Sequence, residues 1–361
     1  APVLIAADGE IIAGEARWRA ATLLTLAMVP VVVLPHLDAA QRDAVRIADN
    51  RLAQAATWDD ALLARVLREL AAVDIEAVDL GFDDADLRAL LEPELPPPTP
   101  EADAAVEPPA VPTTRPGDLW QLGRHRLVCG DATAPATLDR LFAVGKPAAL
   151  VTGMEPADLV WTDPPDGMSY KGRTHGGILG DDARGGALVE LVAGAVGNAV
   201  AHARPGAAVY VCLTWRTYRE FLAALERAGI VPAACIVWDK GWIGPGTLHY
   251  RPRHEWILYG RGRRWYGGQG EGDVWTVKRD FAGDYVHPTQ KPVALVERAM
   301  ANSSIVGDVV LDVFGGSGST VIAAERLGRH ARLVELDPRY CDAIVRRWEA
   351  FTGSSAYRHS A

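Results

Sequence analysis

The sequence predicts an α/β protein, a sheet covered by helices on both faces and preceded by a small α+β domain. Three observations lead there. Beyond residue 116, short β-branched runs alternate with stretches of helical period. One of those runs passes through a glycine-rich turn straight into a helix. Ahead of residue 116 the composition changes twice, which marks separate units.

Residues 1–57 read as short strands and helices, with Val29–Leu34 the clearest strand and Ala39–Ala53 a helical pattern. Residues 58–92 form a helical extension: one helix begins at Trp58-Asp59-Asp60, and Asp83–Leu91 forms a second. Residues 93–116 are dense in proline and acids, so they form a stiff linker that holds no packed core. The main domain is expected over 117–357. Its strands are Leu159–Thr162, Ala207–Leu213, Ala234–Trp238, Glu255–Tyr259, Val309–Val313 and Ala331–Leu336. Its helices are Leu188–His202, Tyr218–Ala228, Val293–Ser303, Thr320–Leu327 and Arg339–Phe351. A stretch near 239–279 is read as an insertion into this domain.

With 361 residues and 49% apolar content, the chain can bury the cores of two or three domains. No apolar run reaches the roughly 18 residues of a membrane span, and Ala1 opens no basic, signal-like region, so a cytoplasmic location is expected. Cys129, Cys212, Cys235 and Cys341 lack zinc spacing and are expected to be reduced thiols, with no metal site. The net charge of −9 is unevenly spread: residues 1–116 carry 9 Lys+Arg against 20 Asp+Glu, and the remainder 28 against 26. Any affinity for a polyanion must therefore reside in the second part.

Chemistry concentrates at two strand ends. Val309-Val310-Leu311-Asp312-Val313-Phe314-Gly315-Gly316-Ser317-Gly318-Ser319 brings backbone close to a ligand at the carboxyl end of a strand. It matches neither the dinucleotide fingerprint nor a phosphate loop, so the ligand is expected to lack phosphates. About twenty residues on, Glu335 and Asp337 end the next strand, where a carboxylate can accept from a ribose diol. Glycine turn, ribose acid and no phosphate cradle together suit S-adenosyl-L-methionine.

The second end is Asp158-Leu159-Val160-Trp161-Thr162-Asp163-Pro164-Pro165-Asp166. The amino nitrogen of adenine or cytosine is a poor nucleophile because its lone pair is delocalised into the ring. Acceptors for both amino hydrogens free that pair, and the Asp163 carboxylate and Pro164 carbonyl are the candidates, preorganised by the two prolines. Carbon methylation of cytosine requires a nucleophilic cysteine that generally follows proline, and none of the four does.

Over nearly all of 117–353 the sequence resembles the β-group DNA amino-methyltransferases, in which an Asp-Pro-Pro-Tyr motif precedes a Phe-x-Gly-x-Gly cofactor motif. The resemblance implies a Rossmann-like S-adenosylmethionine-dependent methyltransferase sheet acting on double-stranded DNA, with adenine N6 the expected target and cytosine N4 the alternative. It implies catalytic roles for Asp163, Pro164, Pro165 and Asp166. Cofactor contacts are implied for Asp131, Asp312, Phe314, Gly315, Gly316, Gly318, Ser319, Glu335, Asp337, Thr289 and Lys291, the last two in a His-Pro-Thr-Gln-Lys-Pro segment that closes over the methionine end. A homodimer is compatible with this reading.

Asp166 stands where the family has its base-stacking tyrosine. Loss of that ring forfeits roughly 1–3 kcal/mol and predicts weakened activity, with Tyr170 or Trp161 as candidate substitutes. For DNA, the aromatic and basic stretch Trp238–Arg279 offers Lys240, Arg251, Arg253, Arg261, Arg263 and Arg264, joined by Lys171. The alternative for the same stretch is a twisted hairpin with core aromatics and solvated arginines. Two further readings stay open: a DNA-binding module with a decayed centre, and a methyltransferase for RNA or protein amides. At the front, Gly14-Glu15-Ala16-Arg17-Trp18-Arg19 resembles the ParB/sulfiredoxin-like domain, with Glu15 in place of its histidine and Arg17 and Arg19 as candidate phosphate contacts.

Overall fold

The computed structural model describes residues 2–46, 106–143, 156–168, 181–243, 249–267, 271–278 and 290–359, with a few isolated residues between 63 and 104. Of the expected helices of 58–92 only residues 63, 66 and 67 are described, all three helical, and the rest lie outside the described residues. The chain divides into two compact units, Ala1–Glu76 and Ala77–Ala361.

In the first unit, β1 (Val3–Ile5) pairs antiparallel with β2 (Ile11–Ala13) and parallel with β3 (Val31–Val33), and α1 (Glu15–Leu23) joins β2 to β3. The helical pattern expected from Ala39 is helical over 39–46, where Arg42 and Arg46 pair with Glu10. Arg17 donates to the Pro2 carbonyl and Arg19 pairs with Glu15 at 2.7 Å, so both proposed phosphate contacts are engaged within the unit.

The second unit is built on one ten-stranded sheet. In chain order its strands are β4 (Leu119–Leu122), β5 (His125–Cys129), β6 (Ala157–Thr162), β7 (Ala203–Leu213), β8 (Pro232–Asp239), β9 (His254–Gly260), β10 (Val274–Thr276), β11 (Val309–Asp312), β12 (His330–Glu335) and β13 (Tyr357–His359). Across the sheet they stand β10-β8-β9-β7-β6-β11-β12-β5-β4-β13. From β7 to β5 all strands are parallel, while β9 runs against both of its neighbours.

Strand periodicity explains the layering. Leu159, Trp161, Ala208, Tyr210, Cys212 and Val310 face one core, under α5 (Val293–Ser303), α6 (Ser319–Arg326) and α7 (Pro338–Thr352). Their neighbours Val160, Val209, Val211, Val309 and Leu311 face the other, under α2 (Pro135–Ala143), α3 (Gly186–Ala201) and α4 (Tyr218–Arg227). A strand buried on both faces reads as an unbroken apolar run, as these do. Each expected strand and helix of this unit whose residues are described forms within a few residues of its expected bounds. The four cysteines are free thiols, three of them buried. Among the described residues no helix is long and apolar enough to cross a membrane.

The stretch near 239–279 contributes to the sheet itself: the expected strand at Glu255–Tyr259 forms as β9 between β8 and β7, and β10 pairs with β8 at the edge. Ile257 and Leu258 are buried on opposite faces of β9, one toward each core.

Candidate active site

Parallel pairing decides which residues meet. Val310 lies opposite Leu159 and Leu311 opposite Val160, so β6 and β11 end side by side at the same edge. The Asp163-Pro164-Pro165-Asp166 segment and the Phe314–Ser319 turn therefore open into one cavity of about 710 Å³, within the usual range for small-molecule sites. Its walls also include Asp131 after β5, Glu335 and Asp337 after β12, and Thr214 and Trp215 after β7.

The glycine turn is braced from within. Asp312 is buried and accepts from Thr162 Oγ1 at 3.2 Å, Phe314 N at 3.0 Å and Thr320 Oγ1 at 2.6 Å, tying β6, the turn and α6 together. Burial holds its carboxyl at about 7. Glu335 accepts from Gly316 N and Asp337 N, each at 2.8 Å, and burial likewise raises it to about 7. Gly318 sits at φ +83°, and a Cβ there would come within 3.2 Å of Ile344, so this glycine serves chain geometry and helix packing. Asp337 caps α7 through Arg339 N at 2.9 Å and pairs with the Arg339 guanidinium, a structural duty at the cavity wall.

A cationic, phosphate-free ligand fits this half of the cavity. Asp131, Asp312, Glu335 and Asp337 line it, and Lys291, also on the cavity wall, turns its ammonium to Asp163 at 2.7 Å. A sulfonium, an ammonium group and a neutral ribose diol suit such a wall, and a pyrophosphate does not.

At the other half, Asp163 keeps 22% of its side-chain surface, and it lines the cavity. Burial raises its pKa and the Lys291 ammonium opposes that rise. Lys291 also meets Glu255 Oε2 at 3.2 Å, and Glu255 in turn pairs with Lys240. Between those two lysines Glu255 is held down at about 2 despite its burial. Asp166 accepts from Thr214 N at 3.0 Å, fixing the turn that carries Trp215, and burial together with the Asp163 charge lifts it to about 7.

The expected DNA contacts divide. Strand β9 spans about 23 Å at 3.3 Å per residue, and it carries its two ends to opposite edges of the sheet. Arg251 stays at the cavity mouth, exposed. Arg264 is instead at the far edge, paired with Asp158 at 2.8 Å and Asp308 at 3.3 Å, the residues that open β6 and precede β11. Arg261 and Arg263 follow β9 to that same edge, where Arg263 N donates to Gly206 O. Lys240 is committed to Glu255, and Arg253 makes two 2.7 Å contacts with Asp239. Thr289, Lys171 and Tyr170 lie outside the described residues.

Of the eight aromatics in this stretch Trp238, Trp275 and Tyr266 are buried, as the hairpin alternative expects of them, and Trp242, Tyr250 and Trp265 are exposed. Trp161, 1% exposed, packs toward Tyr210 and cannot replace the motif tyrosine. Trp215 at 55% and Tyr250 at 96% exposure stand at the cavity mouth. Trp215 and Glu255 went unassigned from the sequence. The available signal for Glu255 was an acid opening an otherwise apolar strand, which calls for a buried cationic partner.

Fold and site together define a doubly wound α/β protein with its ligand cavity at the carboxyl ends of parallel strands. The chain belongs to the DNA methylase family (N6_N4_Mtase), which matches residues 157–346. It is 30% identical over 168 residues to the Type II methyltransferase M2.DpnII of Streptococcus pneumoniae, covering 41% of this chain and 62% of that protein. It is 28% identical over 194 residues to the putative methylase YubD of Escherichia coli (strain K12), covering 54% and 82%. Among solved structures, a putative DNA modification methylase from Thermus thermophilus complexed with S-adenosyl-L-methionine is 25% identical, with 64% of this chain and 98% of that one covered and a TM-score of 0.43. The chain spans less than two thirds of the length of the first curated relatives it matches.

Proposed function

We propose that this chain transfers a methyl group from S-adenosyl-L-methionine to an exocyclic amino group of a DNA base, adenine N6 first and cytosine N4 as the alternative. The observation that carries the reading is the side-by-side ending of β6 and β11, which puts Asp163 and the glycine turn in one cavity. Family membership supports the same chemistry. The cofactor would lie along Asp131, Phe314, Gly315, Gly316 and Glu335, and it supplies an electrophilic methyl group on a sulfonium centre.

The chain's own residues prepare the acceptor. A base must leave the duplex stack to reach Asp163, and Trp215 and Tyr250 at the mouth offer it aromatic surfaces, with Arg216 and Arg251 exposed beside them for phosphates. The Asp163 carboxylate and the Pro164 carbonyl accept the two amino hydrogens, so the nitrogen lone pair is released from the ring. Methyl transfer would leave the amino group cationic, and the Asp163 carboxylate would take the proton that the nitrogen gives up. For the front unit, the small sheet and α1 support the ParB/sulfiredoxin-like reading.

The test combines calorimetric binding of the cofactor with mass analysis of nucleosides from unmethylated genomic DNA treated with enzyme and labelled cofactor. We expect cofactor binding and one methylated amino nucleoside in the DNA. Asp163→Ala should keep the binding and lower transfer about 10³-fold. Binding without any mark on DNA would favour the decayed DNA-binding module, and a mark on RNA or protein alone would move the substrate class.

A further inference from the structure

Four charged side chains of alternating sign stand in a row across four segments: Lys240 after β8, Glu255 opening β9, Lys291 before α5, and Asp163 after β6. Lys291 is the hinge of the row. Its side chain is 7% exposed, its ammonium lies 2.7 Å from Asp163 Oδ2 and 3.2 Å from Glu255 Oε2, and its carbonyl accepts from Ser319 Oγ at 2.7 Å. One residue thus touches the glycine turn through its backbone and the Asp-Pro-Pro carboxylate through its side chain. Burying an ammonium is costly unless its partners are fixed, and here both partners are carboxylates at strand ends.

We propose that Lys291 is a positioning residue for methyl transfer: its ammonium occupies Oδ2 of Asp163, keeps that carboxylate charged inside the protein, and leaves Oδ1 to take the amino hydrogen, while Glu255 fixes the ammonium in turn. This rests on the function proposed above. The need is chemical, since a protonated Asp163 is a poorer acceptor for the amino group and has no room for the released proton. Burial pushes Asp163 toward that protonated form, and Lys291 is the largest opposing influence. The charged and titratable groups facing Lys291 are Asp163, Glu255, Cys212 and Asp166, and burial keeps the Cys212 thiol neutral.

The two partners act on Asp163 with opposite sign, which separates this role from that of a simple staple. Lys291 lowers its pKa and Glu255 raises it. In the full chain with unmethylated genomic DNA, Lys291→Met should lower kcat at pH 7 about 100-fold and move the acidic limb of the kcat–pH profile upward by about one unit or more. Lys291→Arg should recover most of the loss. Glu255→Gln should lower kcat less and move the same limb downward. Calorimetric cofactor affinity should stay within about threefold in all three, because the Lys291 carbonyl that holds Ser319 is retained.

Infrared titration gives a readout independent of turnover. Asp166, Asp312 and Glu335 are partly protonated at pH 7 in every variant, so the readout is the difference: Lys291→Met should add a protonated-carboxyl band to the wild-type spectrum at pH 7, and that added band should be absent when Asp163→Asn is combined with it. Loss of kcat with an unmoved limb in both variants, and no such band, overturns the proposal. A wild-type chain that transfers no methyl group defeats the proposed function instead, and the infrared band still decides whether Lys291 keeps Asp163 charged.

Discussion

Asp166→Asn offers a direct test of the electrostatics beside the Asp-Pro-Pro tip. Asp166 is lifted from its ordinary 3.8 to about 7, mainly by burial and then by the charge of Asp163. The fold therefore holds this proton more tightly than the unfolded chain does. The resulting penalty on stability is absent below about pH 4, grows as pH rises, and levels off once pH passes about 7. At 1.36 kcal/mol per unit, the full penalty is about 4 kcal/mol, of which about 1.4 kcal/mol develops between pH 6 and pH 8. Asparagine removes the charge while its Oδ1 can still accept from Thr214 N, now at 3.0 Å. For a domain of this size, 1.4 kcal/mol corresponds to roughly 3 °C in Tm. Scanning calorimetry at pH 6 and pH 8 should show the Tm loss of the wild type reduced by about that amount in the variant. Asp312 and Glu335 also titrate near 7 and remain in both proteins, so the difference isolates Asp166. An identical pH dependence in the two proteins would show that Asp166 is ionised at pH 6 and that its surroundings are wetter than the geometry implies.

Two further outcomes follow from where β9 and β7 end in the sheet. Arg264→Ala should cost about 3 kcal/mol by leaving Asp158 and Asp308 with less counter-charge, while cofactor and DNA affinity of the folded protein stay unchanged; a filter-binding assay that loses DNA affinity while calorimetry shows intact stability would return Arg264 to the DNA interface. Trp215→Ala should weaken DNA binding by about 1–3 kcal/mol with cofactor affinity retained, read by fluorescence anisotropy on labelled duplexes; unchanged anisotropy would mean that the base does not pass this ring.

What the sequence disclosed and what it concealed differ in the range of the information required. Asp163 and the Phe314–Ser319 turn were legible because each follows directly on its own apolar run, and two parallel strands with the same local grammar end at the same edge wherever they sit in the sheet. Adjacency of β6 and β11 across 150 residues needed only that rule and the family likeness. The cations of the 239–279 stretch required one bit more, the direction of β9. Taken together as one basic stretch, Lys240, Arg253 and Arg264 form a single patch; with β9 running antiparallel between β8 and β7 they separate to opposite edges, and each meets an acid. Lys240, Arg253 and Arg264, three of the eight Lys and Arg residues in Trp238–Arg279, are thus paired by folding. The side chain of Lys291 was hidden for the same reason. Its motif places it beside the cofactor turn, which its backbone does touch through Ser319, but a lysine side chain can reach several ångströms past its own backbone. Only the strand order shows that Asp163 and Glu255 lie within that reach. Local motifs thus locate the cavity, and the charge row within it depends on which strand ends the sheet brings together.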